Sequence, residues 1–292
     1  MIKIKVPATS ANIGVGFDCL GLAVNLYAVV QFEDSSSPLE INGCPKKYQN
    51  KNNLIYQAFV AAADFLQQPV PNLKITIDSQ VPVSRGLGSS ATCIVAGLMG
   101  ANNWFKANLS QEQLLDLATR IEGHPDNVTP AIYGNMSASF IDDNDDVCSA
   151  HFKISSKLHF LALIPDYSIS TEKARQILPK EMSYQTAIYQ IGHALVLAKA
   201  LENGDFPLIQ KAIIDKMHEP FRKQLIPDYE EVQNICLNEN SLCYISGSGS
   251  TLMAITDKKD QAQEILKAIK KSFPKWEAHH LQVDTQGAHA IV

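Results

Sequence analysis

The stretch PVSRGLGSSAT, residues 82–92, constrains the fold and the chemistry of this chain more than any other segment. Before it, the alternation of Leu73, Ile75 and Ile77 predicts a strand, which Pro82 ends. After Gly88 comes SSATCIVAGLMGANNW, an uncharged run of small and apolar residues that is typical of a helix packed on several sides. Strand, glycine loop and buried helix together predict a helix N-terminus whose free backbone N–H groups can bind phosphate without a lysine.

The glycines and hydroxyls of this loop have a functional and a structural interpretation. Gly86 and Gly88 would let the backbone wrap a phosphate, and the hydroxyls of Ser89, Ser90 and Thr92 would bind phosphate oxygens or a magnesium ion. The alternative is a plain turn before a buried helix. The loop has neither the lysine of a Walker A pattern nor the third glycine of a dinucleotide fingerprint, so the sequence supports neither of those families.

Three other polar segments are candidates for binding a small molecule. PATSANIGVGFDCLG places Asn12 and Asp18 among glycines, although an Asx-type turn without a ligand is the alternative. HPDN, residues 124–127, contains a histidine that titrates near neutrality, and the alternative there is a simple connection between helices. SGSGST, residues 246–251, is either a hairpin turn or an anion-binding nest.

Helix signals place two candidate residues at helix ends. Asn53 is expected to begin a helix, and Ser110 with Gln113 forms a capping box for a second helix that Gly123 ends. Glu122 therefore lies at the C-terminal end of that second helix. Over the whole chain, helices and strands follow one another in mixed order, which predicts an α+β fold rather than a doubly wound parallel sheet.

The length and the charge pattern predict how the chain is divided. A chain of 292 residues suggests two domains of ordinary size. The acidic, polar segment 141–155 is the predicted boundary, which gives domains at 1–150 and 151–292. At the start of the first domain, alternating residues predict a strand over 2–6 that Pro7 ends.

Composition excludes several classes of protein. The net charge of -5 argues against general binding to nucleic acid or to anionic membranes. The six cysteines contain no C-x-x-C pair, which argues against a zinc knuckle or a dithiol redox site. The start lacks the apolar segment of a signal peptide, and no run approaches the roughly 18 apolar residues of a membrane span, so we expect a cytoplasmic protein.

Taken together, these segments resemble the GHMP kinases, a family of small-molecule kinases that share three motifs and no Walker A loop. The three motifs are present as PATSANIGVGFD, VPVSRGLGSSAT and SGSGST, and the resemblance spans the chain from Val6 to Thr251. IEGHPDNVTPAIYG, STEKARQILP and MHEPFR are similar to segments of the members that phosphorylate homoserine. The resemblance implies transfer of a phosphoryl group from ATP, with Mg²⁺, to the hydroxyl of L-homoserine. The products would be O-phospho-L-homoserine and ADP, on the route from aspartate to threonine.

The resemblance also implies an architecture and an assembly. The first domain would be an ATP-binding α+β domain with a left-handed crossover, and the second a ferredoxin-like α+β domain. The active site would lie in the cleft between them, and the family expectation is a homodimer.

Site residues follow from the resemblance position by position. The ATP site would comprise the glycine loop and a residue near adenine: Pro82, Val83, Ser84, Arg85, Gly86, Leu87, Gly88, Ser89, Ser90, Ala91, Thr92 and Asn53. Ser90 and Glu122 would hold Mg²⁺. The homoserine site would comprise Asn12, Asp18, His124, Asn127, Thr171, Arg175, Arg222 and Gly247, in which the two arginines bind the α-carboxylate. The catalytic group would be Asn12, Asp18, Ser90 and Asn127.

The implied mechanism lacks a general base. Several GHMP kinases have an aspartate where this chain has Asn127, and an amide cannot accept the proton. Asp126 is adjacent, but consecutive side chains usually point apart, so we do not expect it to act as the base. Positioning and neutralisation of charge can supply most of the acceleration in phosphoryl transfer. The third motif has Ser250 where the family commonly has proline, which predicts a looser loop.

Two other functions remain open from the sequence. One is a GHMP kinase for mevalonate or a related alcohol, although the pair Asn12 and Asp18 favours a substrate with an amine. The other is a member without catalysis that binds nucleotide or acts through protein contacts. The intact glycine loop and Glu122 argue against this second alternative.

Overall fold

The computed structural model describes residues 1–291, which form two β-sheets and the helices around them. The strands are β1 (Ile2–Asn12), β2 (Gly16–Asp34), β3 (Leu39–Asn42), β4 (Leu73–Ser79), β5 (Met136–Ile141), β6 (Val147–Phe152), β7 (His159–Ile164), β8 (Leu242–Ile245), β9 (Leu252–Thr256), β10 (Glu277–Leu281) and β11 (His289–Ile291). The helices are α1 (Leu54–Phe65), α2 (Ser89–Trp104), α3 (Gln111–Glu122), α4 (Pro125–Tyr133), α5 (Thr171–Gln176), α6 (Tyr184–Asn203), α7 (Phe206–Ala212), α8 (Glu219–Arg222), α9 (Tyr229–Asn238) and α10 (Lys259–Ser272). Short 3₁₀ helices occupy Lys46–Tyr48 and Lys223–Leu225.

The first sheet has the order β11-β1-β2-β4-β3, and β5 pairs with both β2 and β6. Its strands are antiparallel except for the pair β3 and β4, which α1 connects. Apolar residues of β1, β2 and β4 pack with those of α1, α2, α3 and α4 in one core. This core fixes the N-terminus of α2, and with it the glycine loop.

The second sheet has the order β10-β7-β9-β8, and all of its pairs are antiparallel. In chain order this is 4-1-3-2, the arrangement of a ferredoxin-like β-α-β-β-α-β unit. Helices α9 and α10 cover one face. The other face packs with α6, α7 and residues of β1 and β2 in a core shared by both sheets. The predicted α+β class is confirmed, and the shared core holds the two sheets against each other.

The two sheets interleave along the chain. β6 runs to Phe152 and therefore crosses the predicted boundary between residues 150 and 151. β11 returns from the C-terminal region to pair with β1 in the first sheet. The acidic residues of the segment that suggested the boundary, 142–146, form the turn of the hairpin between β5 and β6. The division into domains at residue 150 stays a prediction, and it does not coincide with the division of the strands between the two sheets.

The prediction that Pro7 ends the first strand is wrong. β1 continues through Pro7 to Asn12, and its pairing register with β2 shifts between Pro7 and Ala8. An irregularity of this kind tolerates a proline, because the missing N–H falls where the ladder is already interrupted.

The helix signals are confirmed. The Asn53 side chain accepts a hydrogen bond from the Ile55 N–H at 2.9 Å, and Ser110 and Gln113 form the predicted capping box. Gly123 ends α3 with a left-handed φ of 90°. Within residues 1–291, no helix is both long and apolar enough to cross a membrane.

Candidate active site

A cavity of about 420 Å³ lies where the two sheets meet. From the first half of the chain it is lined by predicted residues of the glycine loop, the β1–β2 turn and the segment around α4: Asn12, Asp18, Ser84, Gly86, Gly88, Ser89, Ser90, Glu122, His124 and Asn127. From the second half it is lined by Thr171, Arg175, Arg222 and Gly247. The structure therefore brings every predicted homoserine and metal residue to one cavity.

A second cavity, of about 370 Å³, lies beside the first and is more apolar. It contains Asn53, together with Tyr48, Val83 and Thr92. Ser84, Ser89 and Ser90 line both cavities. The start of α2 thus lies between a largely apolar pocket and the charged cavity. Four predicted loop residues, Pro82, Arg85, Leu87 and Ala91, line neither cavity.

The glycine loop approaches its neighbours too closely for side chains. Gly88 has a φ of 66°, and a Cβ there would lie 1.9 Å from Thr9 Oγ1. A Cβ on Gly86, which has a φ of 80°, would lie 2.2 Å from the Ser246 carbonyl oxygen. Thr9 Oγ1 itself donates to Asn127 Oδ1 at 2.8 Å. The glycines therefore let the loop pack closely on β1 and on the third motif.

The third motif braces the glycine loop from the second sheet. Ser246 Oγ donates to the Gly86 carbonyl at 2.6 Å, and the Thr251 N–H donates to the Arg85 carbonyl at 3.0 Å. Arg85 also reaches the second half of the chain, since its Nε donates to the Pro165 carbonyl at 3.1 Å. Arg85 is therefore a brace between the sheets, and its guanidinium is turned away from the cavity.

Ser250 is the residue from which a looser third motif is predicted. Its side chain is fully buried, and its Oγ donates to the Tyr167 carbonyl at 2.6 Å. The hydroxyl therefore ties the loop to the segment that follows β7, and a looser loop stays a prediction.

Ser90 and Glu122 form the candidate metal site. Ser90 Oγ donates to Glu122 Oε2 at 2.6 Å. Burial raises the pKa of the Glu122 carboxyl, while the Ser90 hydrogen bond and His124 oppose that rise. Residues 1–291 hold no group of three or more His, Cys, Asp or Glu side chains placed to bind a metal ion. One carboxylate and one hydroxyl fit Mg²⁺, which commonly takes few protein ligands and completes its octahedron with phosphates and water.

Asn12 and Asp18 occupy left-handed backbone positions at the cavity. Their φ values are 72° and 55°, a conformation that Asn and Asp tolerate better than other residues with a side chain. The Asp18 N–H donates to Asn12 Oδ1 at 3.0 Å, and Asn12 Nδ2 donates to the Gly247 carbonyl at 2.7 Å. Asp18 Oδ2 and Oδ1 accept from Arg175 Nη1 and Nη2 at 2.8 and 3.0 Å. The β1–β2 turn is thereby tied to the second half of the chain.

Arg222 is the most buried cation of the site. Its side chain donates to the carbonyls of Ala174 and Gly247, at 3.1 and 2.9 Å. Among the described residues no carboxylate oxygen lies within 4.0 Å of its guanidinium, and only 3% of the residue is exposed. Burial lowers the pKa of Arg222 to about 10. A buried guanidinium with no anion beside it favours binding of an anionic ligand in the cavity.

Asp126 does not point away from its neighbours. It is buried, lines the cavity, and accepts with Oδ1 from Asn127 Nδ2 at 3.2 Å. The same oxygen is hydrogen-bonded to His124 Nδ1, which raises the pKa of His124 despite the opposing effect of burial. The prediction that Asp126 and Asn127 diverge is wrong, because both lie in the first turn of α4, where successive side chains are only about 100° apart.

Sequence reasoning missed two aromatic residues beside the arginines. The Phe17 ring lies 4.9 Å from the Arg222 guanidinium carbon and 5.9 Å from that of Arg175, and it stacks on the His218 ring. His218 is buried and hydrogen-bonded through Nε2 to the Gly14 carbonyl at 2.8 Å. The sequence offers one indication for Phe17, its position directly before Asp18 in the first motif. An aromatic residue at that position is equally typical of the hydrophobic core.

Comparisons with known proteins match nearly the whole chain. The family described as "GHMP kinases N terminal domain" matches residues 53–135, and "GHMP kinases C terminal" matches residues 197–275. A homoserine kinase of Clostridium botulinum (strain ATCC 19397 / Type A) is 44% identical over 290 residues, which cover 98% of this chain and 97% of that protein. A homoserine kinase of the Alaska E43 / Type E3 strain is 41% identical over 295 residues, 100% of this chain and 99% of that protein.

Solved structures agree with these matches. The crystal structure of homoserine kinase from Cytophaga hutchinsonii superposes with a TM-score of 0.87 at 29% identity, covering 99% of this chain and 97% of that one. L. major mevalonate kinase in complex with R-mevalonate superposes with a TM-score of 0.75 at 18% identity, covering 98% and 96%. The second likeness shows the shared fold alone.

Proposed function

The chain belongs to the homoserine kinases of the GHMP kinase family, and from this premise we propose that it transfers a phosphoryl group from ATP to the hydroxyl of L-homoserine. The products are O-phospho-L-homoserine and ADP, which places the reaction in threonine biosynthesis from aspartate. We further propose a cytoplasmic location.

The observation that carries the proposal is the charge pattern of the 420 Å³ cavity. Arg222 supplies a buried cation without an anionic partner, and Arg175 supplies a second guanidinium beside it. Asp18 supplies a carboxylate on the opposite wall, bonded to Arg175. An amino acid presents the complementary charges, a carboxylate for the arginines and an ammonium for Asp18. A hydroxy acid without an amine would present no cation to Asp18.

The glycine loop would hold the phosphates between the two cavities. The nucleoside would enter the apolar cavity near Asn53, and the phosphates would reach the N-terminus of α2 at Ser89 and Ser90. Free N–H groups of this turn would stabilise the charge that develops on the transferred phosphoryl group. Ser90 and Glu122 would hold Mg²⁺, which supplies charge neutralisation on the phosphates when bound.

We propose that the substrate hydroxyl attacks without a strong general base. Asn127 is an amide whose oxygen already accepts from Thr9, so its role is to orient. Asp126 faces the cavity, but its Oδ1 is engaged by His124 and Asn127. An Asp126→Asn variant tests the alternative: a loss of more than about a thousandfold in kcat would assign Asp126 as the base, within the range attributed to general bases.

Acceptor-dependent ADP release tests the proposed function. Purified protein with Mg-ATP is assayed with L-homoserine, mevalonate, L-serine or no acceptor. We expect turnover with L-homoserine and only background release otherwise. Turnover with mevalonate would favour a GHMP kinase that acts on mevalonate or a related alcohol. ATP binding without any turnover would favour a family member without catalytic activity.

We also propose a homodimer formed through α6. Tyr184, Ile188, Ile191 and Leu195 follow the 4-3-4 spacing of a helix seam and are between 61% and 89% exposed. No charged residue occurs between Tyr184 and Ala198. A second copy of this chain presents the same uncharged face, so two helices can pair about a two-fold axis without repulsion or unpaired charge.

Size-exclusion chromatography with light scattering tests the dimer. We expect Leu195→Glu to give a monomer, since it would place two carboxylates in the seam. The matched control is Leu237→Glu, on α9, where the leucine is 58% exposed and away from α6. A monomeric parent protein, or equal effects of the two variants, would exclude the α6 dimer.

A further inference from the structure

We propose that the Asp18–Arg175 ion pair stands in for the substrate's own charges and is exchanged for them on binding, so that the site selects zwitterions. This inference rests on the proposed function for the identity of the substrate, but its central test uses equilibrium binding rather than turnover.

The ion pair joins opposite walls of the cavity. Asp18 belongs to β2 in the first sheet, whereas Arg175 lies on α5 in the second half of the chain. Both residues line the cavity, and their side chains are 32% and 39% exposed. The contact is bidentate, at 2.8 and 3.0 Å, so that both carboxylate oxygens and both terminal guanidinium nitrogens are occupied. A ligand that pairs with either group therefore competes with this contact for the same side-chain atoms.

The guanidinium of Arg222 explains why a ligand would disturb the Asp18–Arg175 pair. Arg222 has no carboxylate within 4.0 Å among the described residues, so it is the first cation available to an incoming carboxylate. Arg175 and Arg222 both lie against the Phe17 ring, at 5.9 and 4.9 Å. Both arginines line the same cavity, so a carboxylate held on Arg222 can compete with Asp18 for Arg175.

The outcome of this competition depends on the other charge of the ligand. If the ligand carries an ammonium group, Asp18 gains a new cation as it loses Arg175, and the number of charge-assisted pairs is preserved. If the ligand is a hydroxy acid without an amine, Asp18 is left without a partner. If it is an amino alcohol without a carboxylate, Arg175 is left without one. Leaving one charged partner unmatched weakens binding by about tenfold or more.

A variant that binds one of the incomplete ligands more tightly than the parent distinguishes exchange of the ion pair from a ligand contact that leaves the pair intact. The probes are L-homoserine, 4-hydroxybutanoate, which lacks only the amine, and 3-aminopropan-1-ol, which lacks only the carboxylate. Their affinities are measured by calorimetry for the parent protein, Asp18→Asn and Arg175→Gln. We expect Asp18→Asn to bind L-homoserine more weakly but 4-hydroxybutanoate at least about fivefold more tightly than the parent does, because the competing carboxylate is gone. Arg175→Gln should show the mirror result with the amino alcohol.

The control is Glu230→Gln. It removes an exposed ion pair of similar length, Lys223 Nζ to Glu230 Oε1 at 2.8 Å, away from the cavity, and should leave all three affinities unchanged. Unchanged or weaker binding of 4-hydroxybutanoate by a folded Asp18→Asn protein would overturn the exchange. If the parent binds by this pattern but does not phosphorylate L-homoserine, the proposed function fails and the exchange stands. If it phosphorylates L-homoserine and the gain is absent, only the exchange fails.

Discussion

Ser90 Oγ and Glu122 Oε2 lie 2.6 Å apart, so that the start of α2 and the end of α3 present one hydroxyl and one carboxylate to the same point of the cavity. The hydrogen bond orients both groups before any metal binds. We predict that Glu122→Gln, which keeps the hydrogen-bond acceptor but removes the charge, raises the Mg²⁺ concentration for half-maximal activity at least about tenfold. A magnesium titration of ADP release measures this change. L-homoserine affinity should stay constant, and an unaltered magnesium requirement would remove Glu122 from the metal site.

Arg222→Gln should act on the amino acid and not on the nucleotide. The variant removes a buried cation that faces the cavity, and loss of one partner of a buried charge pair costs about 2–5 kcal/mol. We expect the L-homoserine KM to rise at least about thirtyfold, which corresponds to about 2 kcal/mol, while the ATP KM changes little. Steady-state kinetics with each substrate varied in turn gives both values. Equal rises in the two constants would mean that Arg222 supports the fold of the cleft rather than the carboxylate.

Gly88→Ala should damage the phosphate loop through a steric clash as well as backbone strain. Its Cβ would meet Thr9 Oγ1 at 1.9 Å, whereas a Cβ on Gly123, at a φ of 90°, would meet no atom within 4 Å. Gly123→Ala therefore isolates the cost of the left-handed backbone, about 1 kcal/mol. We expect Gly88→Ala to lose at least about 2 kcal/mol of unfolding free energy and most of its affinity for ADP measured without magnesium. Equal losses in the two variants would show that strain alone accounts for both.

Glu219 should make stability fall as the pH rises. Burial is the main cause that raises the pKa of its carboxyl to about 8, with Asp215 adding to the rise and the Ile245 N–H and Arg222 opposing it. The unfolded chain releases this proton near pH 4.3, so the folded state binds more protons between about pH 4.3 and 8 and loses stability across that interval.

Glu219→Gln tests this pH dependence, because the amide oxygen can still accept from Ile245. We expect the parent Tm to fall more than that of the variant between pH 5 and 8, by about 2 °C for each kcal/mol. Glu230→Gln, on the exposed side of α9, is the control and should follow the parent. Parallel curves for the parent and Glu219→Gln would contradict the raised pKa.

Features of the fold that depend only on residues close together in the sequence were predictable from it. The caps at Asn53 and Ser110 and the stop at Gly123 each need only a few adjacent residues, so their patterns identify them. Pro7 misled because its effect depends on the register against β2, which no local pattern encodes. The return of β11 to β1 depends on pairing across almost the whole chain and leaves no signal in either segment.

The same distinction holds in the site. The motifs identified the residues that line the cavity, but not which of them bond to one another. Asp18 and Arg175 are 157 residues apart, and their pairing follows from the packing of the two sheets. Asp126 was judged by the rule that consecutive side chains point apart, but it lies in the first turn of a helix, where Asn127 can be its hydrogen-bond partner. Phe17 was missed because its contacts with the two arginines join residues more than 150 positions apart in the sequence.

The hydrogen bonds from Ser246 and Thr251 to the glycine loop limit the transfer of this loop to another protein. Its carbonyls at Arg85 and Gly86 are held by a segment more than 150 residues later, so the loop sequence does not by itself carry the loop shape. Grafted into another scaffold with only its strand and helix, PVSRGLGSSAT would keep its glycines and lose the contacts that fix them. A transplant that works must bring SGSGST with it, as the second half of one divided unit.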